Sequence, residues 1–460
     1  MDPLSPVDAA FYHLEGDTTP MHVGSVSVLE GPAPEDEDLV GLLAAKLSRV
    51  PRYRQGVRTV PLGLGRPVWV DDQRFDVRHH VRHAVVPGPG GDDALRGLVA
   101  RILEQPLDLD RPLWEVWLVD GLEDGRWVLV AKVHHCMVDG IAGTDLLQLI
   151  FDQTPESVTD EPEPWSPDPA PSTSALIAGS VRGTVGDTAR FTLAQLGRLP
   201  RLASPRDWAR RTDAMTASVL DLARQSTAIT ARSLNGPLGR RRRWAWTAAD
   251  LSTIRRVRRA LGGSVNDVAL AVVTAGLRDL LAGRDQLTDR LVVRTLVPVS
   301  VRQSSERGQV GNQIATVLVD LPVGEPDPLA RFNAVRRQME DHKRVVVATD
   351  LRRVLSAGDL VAPAVLALGV RAARSAQPVA QAVATNVPGP PRPLYALGRR
   401  MISLHAHVPI AMGCRTAIGI FSYAGRMTFG INADFDGMPD VDVLADGIGR
   451  GLEELAARSL

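Results

Sequence analysis

Two adjacent histidines, His134 and His135, are followed closely by Asp139 and Gly140, and this group is the best candidate for chemistry in the chain. Histidine suits a general base because its unperturbed pKa lies near neutrality, so it can take a proton and return it. Asp139 is close enough to fix the local backbone or to accept a hydrogen bond from an imidazole or an arginine. Gly140 permits a backbone conformation or close approach that a Cβ would block. We interpret the pattern HHxxxDG as a base with its supporting residues.

The segments on either side predict how these histidines are positioned. Residues 126–133 are apolar and rich in β-branched side chains, which is typical of a buried strand, and residues 141–150 carry apolar side chains at helical spacing. The histidines therefore lie where a strand passes into a helix, a place where loops on a rigid scaffold often carry chemistry. Since neighbouring side chains of a strand point to opposite faces, we expect one imidazole in a reaction channel and the other packed behind it.

Two other interpretations of the histidines remain open. The imidazoles and Asp139 could bind a metal ion, but imidazoles that face opposite ways cannot bind one ion without distortion, and the sequence offers no obvious remaining ligand set. The pair could also be purely structural. Cys136, one of two cysteines, is expected to be a small buried residue rather than a nucleophile.

Composition narrows the class of protein. The chain has 460 residues, 44% of them hydrophobic, which is enough for two domains with large cores. Its net charge is zero, so there is no overall electrostatic attraction to nucleic acid. Arginine outnumbers lysine 50 to 3, which is typical of a GC-rich genome and lowers the weight of any one arginine cluster. The apolar stretches are too short to span a bilayer and the N-terminus does not resemble a signal peptide, so we expect a cytoplasmic protein.

The alternation of strands, helices and breaks predicts an α/β protein with three segments. Residues 1–152 form a first α/β domain, residues 153–235 a proline-rich linker and helical crossover, and residues 236–460 a second α/β domain. A cleft between two domains of similar size is a favoured place for a ligand site. The elements predicted by periodicity include strands at 23–29, 291–299 and 314–319, a helix at 37–47, a hairpin at 418–433, and a last helix beginning near Pro439.

Several further segments occur in a fixed order along the chain. They are 4–11 (LSPVDAAF), 20–24 (PMHVG), 106–115 (PLDLDRPLWE), 265–271 (VNDVALA), 298–302 (PVSVR), 311–313 (GNQ) and 385–390 (TNVPGP). With HHxxxDG, this set resembles the bacterial wax ester synthase / acyl-CoA:diacylglycerol acyltransferase family along nearly the whole chain. HHxxxDG alone is shared with the wider superfamily of chloramphenicol acetyltransferase-like enzymes and peptide-synthetase condensation domains. Thr385 stands where serine is more usual in the family, and Ala269 where a bulkier aliphatic side chain is common.

The resemblance implies two chloramphenicol acetyltransferase-like α/β domains with a tunnel at their interface. It also implies transfer of a long-chain fatty acyl group from acyl-CoA, which is a substrate and not a cofactor, to diacylglycerol or a long-chain fatty alcohol. His135 would be the general base, supported by His134, Asp139 and Gly140, without an acyl-enzyme. We expect neither a cofactor nor a metal. Condensation-type acyl transfer to another alcohol or amine, and a non-catalytic lipid-droplet scaffold, are the alternatives.

Four residues are predicted to bind substrate: Asn266, Asp267, Thr385 and Asn386. The amide of Asn266 can donate a hydrogen bond to negative charge that develops during the reaction. The turn that begins at Asn386 could line the tunnel. Asn266 and Asp267 could equally cap the helix that follows them, and the turn at 386–390 could simply be rigid.

Arginines and their partners support further expectations. Arg302 is a candidate partner for Asp139, and Arg111 with Glu115 is expected to form an ion pair that braces the fold. The run Arg240–Arg243 could bind the phosphates of coenzyme A or be a solvated surface run.

The predicted helices at 176–211 combine an apolar stripe with many arginines. They could lie on an anionic lipid surface, or form an ordinary crossover between the domains. Because the acceptors of the resembling family are nearly insoluble in water, we expect peripheral association with a membrane or a lipid droplet.

Overall fold

The computed structural model describes residues 2–47, 49–138, 149–156, 165–180, 230–300, 314–348 and 380–459. Asp139, Gly140 and Arg302 lie outside these residues. So do most of the helix predicted at 141–150 and the arginine-rich segment beyond residue 180.

Strands and helices alternate through the described residues. The strands are β1 (Asp2–Pro3), β2 (His22–Leu29), β3 (Gln55–Arg58), β4 (Val68–Asp71), β5 (Val81–Val85), β6 (Trp114–Asp120), β7 (Trp127–His134), β8 (Arg242–Asp250), β9 (Val293–Ser300), β10 (Ile314–Leu321), β11 (Ala382–Pro388), β12 (Tyr395–Ala396), β13 (Arg399–His407), β14 (Thr416–Tyr423) and β15 (Arg426–Asp434). The helices are α1 (Pro6–Leu14), α2 (Asp36–Leu47), α3 (Asp92–Leu103), α4 (Leu251–Leu261), α5 (Val265–Gly283), α6 (Pro328–Ala348) and α7 (Val441–Ala457).

Two six-stranded sheets form the centre of the fold. The first has the order β12-β13-β2-β7-β6-β5 and the second the order β10-β9-β11-β14-β15-β8. In the first sheet β7 is an inner strand and all eight of its residues are buried, Lys132 and His134 among them. In the second sheet β11 runs parallel to both of its neighbours, β9 and β14.

The sheets do not follow the order of the chain. Strands β12 and β13 belong to the segment predicted as the C-terminal domain, but they extend the first sheet, where β13 pairs antiparallel with β2. The division into residues 1–152, 153–235 and 236–460 therefore stays a prediction about segments of the chain, and it does not describe which strands share a sheet.

Strand β13 also brings the two sheets into contact. A Cβ on Gly430 of β15 would lie 2.1 Å from the carbonyl oxygen of Ala406, and a Cβ on Gly419 of β14 would lie 2.9 Å from the Ala406 Cβ. Only glycine permits this approach of the backbones. The hydroxyl of Thr428 then donates to the carbonyl of Leu404 at 2.6 Å, which ties β15 to β13. The end of β13 is thereby fixed between the two sheets.

Helix α5 is the central helix of the C-terminal core. Ser264 is its N-cap, and an apolar run from Val268 to Val273 is completely or almost completely buried against the second sheet and α7. Within the described residues no single helix is long and apolar enough to cross a bilayer. Helices α4 and α5 meet the length and composition test only as a pair, which is bent by 104°.

The predicted elements agree with the structure where it can be compared. Strands predicted at 23–29 and 314–319 correspond to β2 and β10, and the helix predicted at 37–47 corresponds to α2. The predicted hairpin is β14 and β15, joined at Ala424 and Gly425. In the predicted linker, residues 165–172 have no regular structure, but Trp165 packs against Phe75 and under the Arg54 guanidinium, so this stretch is docked on the N-terminal part.

Candidate active site

The site begins where β7 ends. His134 is the last residue of that strand, and its backbone N–H donates to the carbonyl of Leu113 at 2.9 Å. A 3-10 turn, His135–Met137, follows directly. His134 caps this turn, because its Nδ1 accepts the backbone N–H of Cys136 at 3.1 Å. The side chain of His134 is completely buried, so it cannot meet a substrate in this arrangement.

The carboxyl group of Glu15 lies beside the ring of His134. Its carboxylate oxygen Oε2 lies 3.4 Å from His134 Nε2, without the alignment of a regular hydrogen bond. The same oxygen accepts the backbone N–H of Met21 at 2.5 Å. The side chain of Glu15 is only 8% exposed, so its carboxyl group lies in the interior beside the 3-10 turn His135–Met137, here called the histidine turn.

His135 occupies a different environment. It is half-buried, its backbone N–H donates to the carbonyl of Met21 at 2.8 Å, and its ring stacks on Phe11 with a centroid distance of 3.8 Å. Burial lowers the pKa of His135 to about 4, and the charge-favouring effect of its own backbone carbonyl does not compensate. The ring is therefore neutral near pH 7, which is the form that can accept a proton. Nδ1 is buried without a regular hydrogen bond to any described residue.

A second pair of imidazoles lies beside the histidine turn. His22 is opposite His134 in the pairing of β2 with β7, and its ring stacks on that of His407 at 5.3 Å. Both rings are buried, and burial is the main reason that the pKa of His22 falls well below its usual value and that of His407 falls to about 3. Both histidines are therefore neutral, and their stacked rings join the start of β2 to the end of β13, the neighbouring strand of the same sheet.

Asn266 and Asn386 are brought together by the fold. The amide of Asn386, near the end of β11, donates to the Oδ1 of Asn266 in the first turn of α5 at 3.1 Å. Asp267 instead completes a capping box, because its carboxylate accepts the Ser264 N–H at 2.7 Å while the Ser264 hydroxyl accepts the Asp267 N–H. The capping interpretation therefore describes Asp267, and the cap residue itself is Ser264. Thr385 points to the opposite face of β11 from Asn386, because side chains alternate along a strand.

Two arginines of the run at 240–243, Arg242 and Arg243, form hydrogen bonds within the protein. The guanidinium of Arg242 is buried and donates to the carbonyls of Thr18 and Gly239, at 2.5 and 2.7 Å, while its backbone N–H donates to Glu104. Arg243 donates to the Phe435 carbonyl at 2.9 Å. The run is thus not simply solvated, and its buried member joins the second sheet to the loop before β2.

A polar cavity of about 280 Å³ lies at the edge of the first sheet, beside the stacked rings of His80 and Trp114. Three arginines line it, and each already faces a carboxylate, so it offers no unpaired cation for a phosphate.

The ion pair predicted between Arg111 and Glu115 is not formed. The observed pairs are Arg111–Asp108, Arg82–Glu115, Lys132–Glu115 and Arg78–Glu37.

Cys136 is buried at 4% exposure, as expected, and burial raises the pKa of its thiol well above the usual value, so the thiol stays protonated near pH 7. Within the described residues, no three His, Cys, Asp or Glu side chains are grouped as around a metal ion.

Sequence reasoning missed Glu15 and the role of Phe11. Phe11 belongs to a short helix with a recognisable start, Ser5-Pro6, but nothing in the local pattern indicates that its ring meets His135, 124 positions later. Glu15 gives no signal beyond its place six residues before Met21. Both contacts depend on how α1 packs against the histidine turn.

Solved structures define the class of fold. The chain resembles the starter condensation domain of rhizomide synthetase, in complex with C8-CoA and Leu-SNAC, with a TM-score of 0.55 at 13% identity, over 100% of this chain and 94% of that chain. It resembles the wax ester synthase/diacylglycerol acyltransferase from Marinobacter aquaeolei VT8 with a TM-score of 0.69 at 27% identity, over all of both chains. The fold is thus that of the chloramphenicol acetyltransferase-like acyltransferases, which confirms the predicted α/β class. The tunnel stays a prediction.

The family follows from two matches along the sequence. The model of the wax ester synthase/diacylglycerol acyltransferase catalytic domain matches residues 4–269, and that of the WS/DGAT C-terminal domain matches residues 310–456. A probable diacylglycerol O-acyltransferase of Mycobacterium tuberculosis is 34% identical over 479 aligned residues, covering 100% of this chain and 96% of that protein. The chain belongs to the wax ester synthase/diacylglycerol acyltransferase family and is an acyltransferase enzyme, as predicted.

Proposed function

We propose that this enzyme transfers a long-chain fatty acyl group from acyl-CoA to diacylglycerol, with His135 as general base. The observation that carries this proposal is the environment of His135: a neutral imidazole at the end of β7, held by Met21 and stacked on Phe11. The names of the relatives, which are diacylglycerol O-acyltransferases, support the choice of acceptor.

The reaction needs one base that returns its proton. Because Nδ1 of His135 is buried, we assign the reactive role to Nε2. Nε2 takes the hydroxyl proton of diacylglycerol while the oxygen attacks the thioester carbonyl. The carbon–sulfur bond then breaks, and the imidazolium protonates the leaving thiolate, which gives triacylglycerol and free coenzyme A. Positioned proton transfer contributes about 10²–10⁴ in rate, and holding both substrates together roughly 7–11 kcal/mol more.

The amide pair of Asn266 and Asn386 is the proposed substrate contact on the second sheet. The hydrogen bond between them uses one Nδ2–H of Asn386 and the Oδ1 of Asn266. Among the described residues no group accepts from the Nδ2 of Asn266, and we assign to it a hydrogen bond to the thioester oxygen as negative charge develops. Asp139 and Gly140 keep their predicted supporting roles, and Thr385 its predicted contact with substrate.

Purified enzyme with palmitoyl-CoA tests the chemistry and the acceptor. We expect release of coenzyme A with diacylglycerol, and a His135→Ala variant that is folded but slower by about 10²–10⁴. His134→Ala should lose less, up to about 10²-fold, because His134 positions the turn and does not meet substrate. Equal losses in both variants with unchanged circular dichroism would contradict the assignment of one base and one support.

Long-chain fatty alcohol is the second candidate acceptor, because the family model and the Marinobacter relative carry the name of wax ester synthase. Parallel assays with hexadecanol and diacylglycerol decide between triacylglycerol and wax ester synthesis by their kcat/KM ratio. Turnover with an amine acceptor alone would favour a condensation-type reaction. Absence of turnover with every acceptor would favour a non-catalytic lipid-droplet protein.

The enzyme is also proposed to bind lipid surfaces reversibly, because diacylglycerol is nearly insoluble in water. The predicted contact is the arginine-rich segment at 176–211, through apolar insertion and attraction to anionic head groups. Flotation with phosphatidylglycerol vesicles should show binding that weakens with salt and after joint replacement of Arg182, Arg190 and Arg198 by glutamate. Binding that ignores both changes would reject this segment as the anchor.

A further inference from the structure

The buried carboxyl group of Glu15 is linked to the backbone of His135 through Met21. Glu15 Oε2 accepts the Met21 N–H at 2.5 Å, and the carbonyl of the same Met21 accepts the His135 N–H at 2.8 Å. Glu15 therefore fixes the residue to which the backbone of His135 is bound. Through Oε2 it also faces the ring of His134, 3.4 Å from Nε2.

The contacts of His134 determine which ring nitrogen carries the proton. Nδ1 accepts the N–H of Cys136, so Nδ1 is unprotonated and the neutral ring carries its proton on Nε2. Oε2 of Glu15 lies 3.4 Å from that nitrogen. If the proton moved to Nδ1, it would meet the N–H of Cys136, and the 3-10 turn would lose its cap. A carboxylate beside one ring nitrogen favours the tautomer with the proton on that nitrogen.

We propose that Glu15 is a positioning residue for acyl transfer. It holds His134 in the Nε2–H form and the backbone of Met21 in place, and so keeps His135 in its orientation against Phe11. Glu15 does not meet the reacting atoms, and its effect passes through His134 and Met21. The inference rests on the proposed role of His135 as general base.

Three replacements show whether Glu15 acts by positioning its neighbours, by its charge, or only by stabilising the fold. Glu15→Gln keeps an oxygen that can accept from His134 Nε2 and from Met21, but removes the charge. Glu15→Ala removes both. Asp17→Asn is the matched control, an acid two positions away whose side chain is 85% exposed. The full chain is assayed with palmitoyl-CoA and diacylglycerol as a function of pH, and two-bond ¹H–¹⁵N spectra of histidine-labelled protein report the tautomer of His134.

We expect kcat to fall by up to about 10²-fold in Glu15→Ala with KM nearly unchanged, since a shift of about 1 Å in a catalytic group has that effect. Glu15→Gln should recover most of kcat with an unchanged pH profile, and Asp17→Asn should match the original enzyme. In the spectra His134 should be in the Nε2–H form in the original enzyme and in Glu15→Gln.

The proposal would be overturned by an Nδ1–H tautomer of His134 in the original enzyme, a result that needs neither activity nor a folded variant. It would also be overturned by kcat within twofold of normal in Glu15→Ala. Glu15→Gln as slow as Glu15→Ala, with a displaced pH profile, would mean that Glu15 acts by its charge. Full activity in His135→Ala would instead reject the proposed base and leave the tautomer result standing.

Discussion

Mild acid should destabilise this enzyme through histidines that are buried in the neutral form. His405 and His407 are 4% and 3% exposed, and burial is the main cause that lowers the pKa of each to about 3. Their unfolded pKa is about 6.5. Between these values the unfolded chain binds more protons than the folded one. The free energy of unfolding is therefore greatest above about pH 6.5 and decreases as the pH falls toward about 3.

The size of the effect follows from the separation of the two pKa values. Each pH unit below about 6.5 costs about 1.4 kcal/mol per histidine, so at pH 5 each contributes a loss of about 2 kcal/mol and the two together about 4. Total stabilities of about 5–15 kcal/mol make such a loss large. His405 is the better residue to change, because it packs between Trp244 and Trp246 and its Nε2 forms a hydrogen bond with the Ser403 hydroxyl, at 3.1 Å.

Urea unfolding followed by tryptophan fluorescence, at several pH values from 7.5 to 5, measures the effect. Glutamine at position 405 keeps a polar side chain and removes the titration, so the pH-dependent loss should shrink by about 2 kcal/mol in His405→Gln. His79→Gln is the matched control, since His79 is exposed. Carboxylates that also titrate in this range act equally in all three proteins and cancel in the difference. Equal pH dependence of His405→Gln and the original enzyme would refute the reasoning.

Two further predictions concern contacts between distant segments. Asn266→Ala and Asn386→Ala should be non-additive in kcat/KM, with a coupling of about 0.5–3 kcal/mol in a double-mutant cycle, and additive losses would mean that the two amides act independently. Arg242→Gln should lower the free energy of unfolding by about 1.5–3 kcal/mol, because it removes the buried guanidinium that donates to the carbonyls of Thr18 and Gly239. Arg241→Gln, on an exposed side chain, should cost about 1 kcal/mol or less, and equal losses in urea unfolding of the two variants would contradict the role of Arg242.

Local patterns predicted most of the elements near the site. The largely apolar run before His134 predicted a buried strand, and the structure places that strand, β7, inside the first sheet. The hairpin of β14 and β15 followed from alternation and a turn at Ala424-Gly425. The different environments of His134 and His135 followed from the alternation of side chains at a strand end.

Contacts over long separations were beyond the reach of pattern reasoning. The expected pair of Arg111 with Glu115 joined residues close in sequence, but Glu115 instead faces Lys132 on the neighbouring strand. An ion pair depends on which side chains the register of two strands places opposite one another, and register is a property of the sheet. The same holds for the placement of β13 in the first sheet, which no local feature of residues 399–407 indicates.

The sequence by itself determined the chemistry available to this enzyme: a histidine pair at the end of a buried strand, in an ordered set of motifs typical of one acyltransferase family. Those features are local, so residue type and spacing are enough to predict them. Only the tertiary structure decided which groups surround the histidines, because Glu15 and Phe11 reach them from a distant segment of the chain. The pKa of His135 was decided there too, since burial is a property of the packed interior and not of the neighbours along the chain.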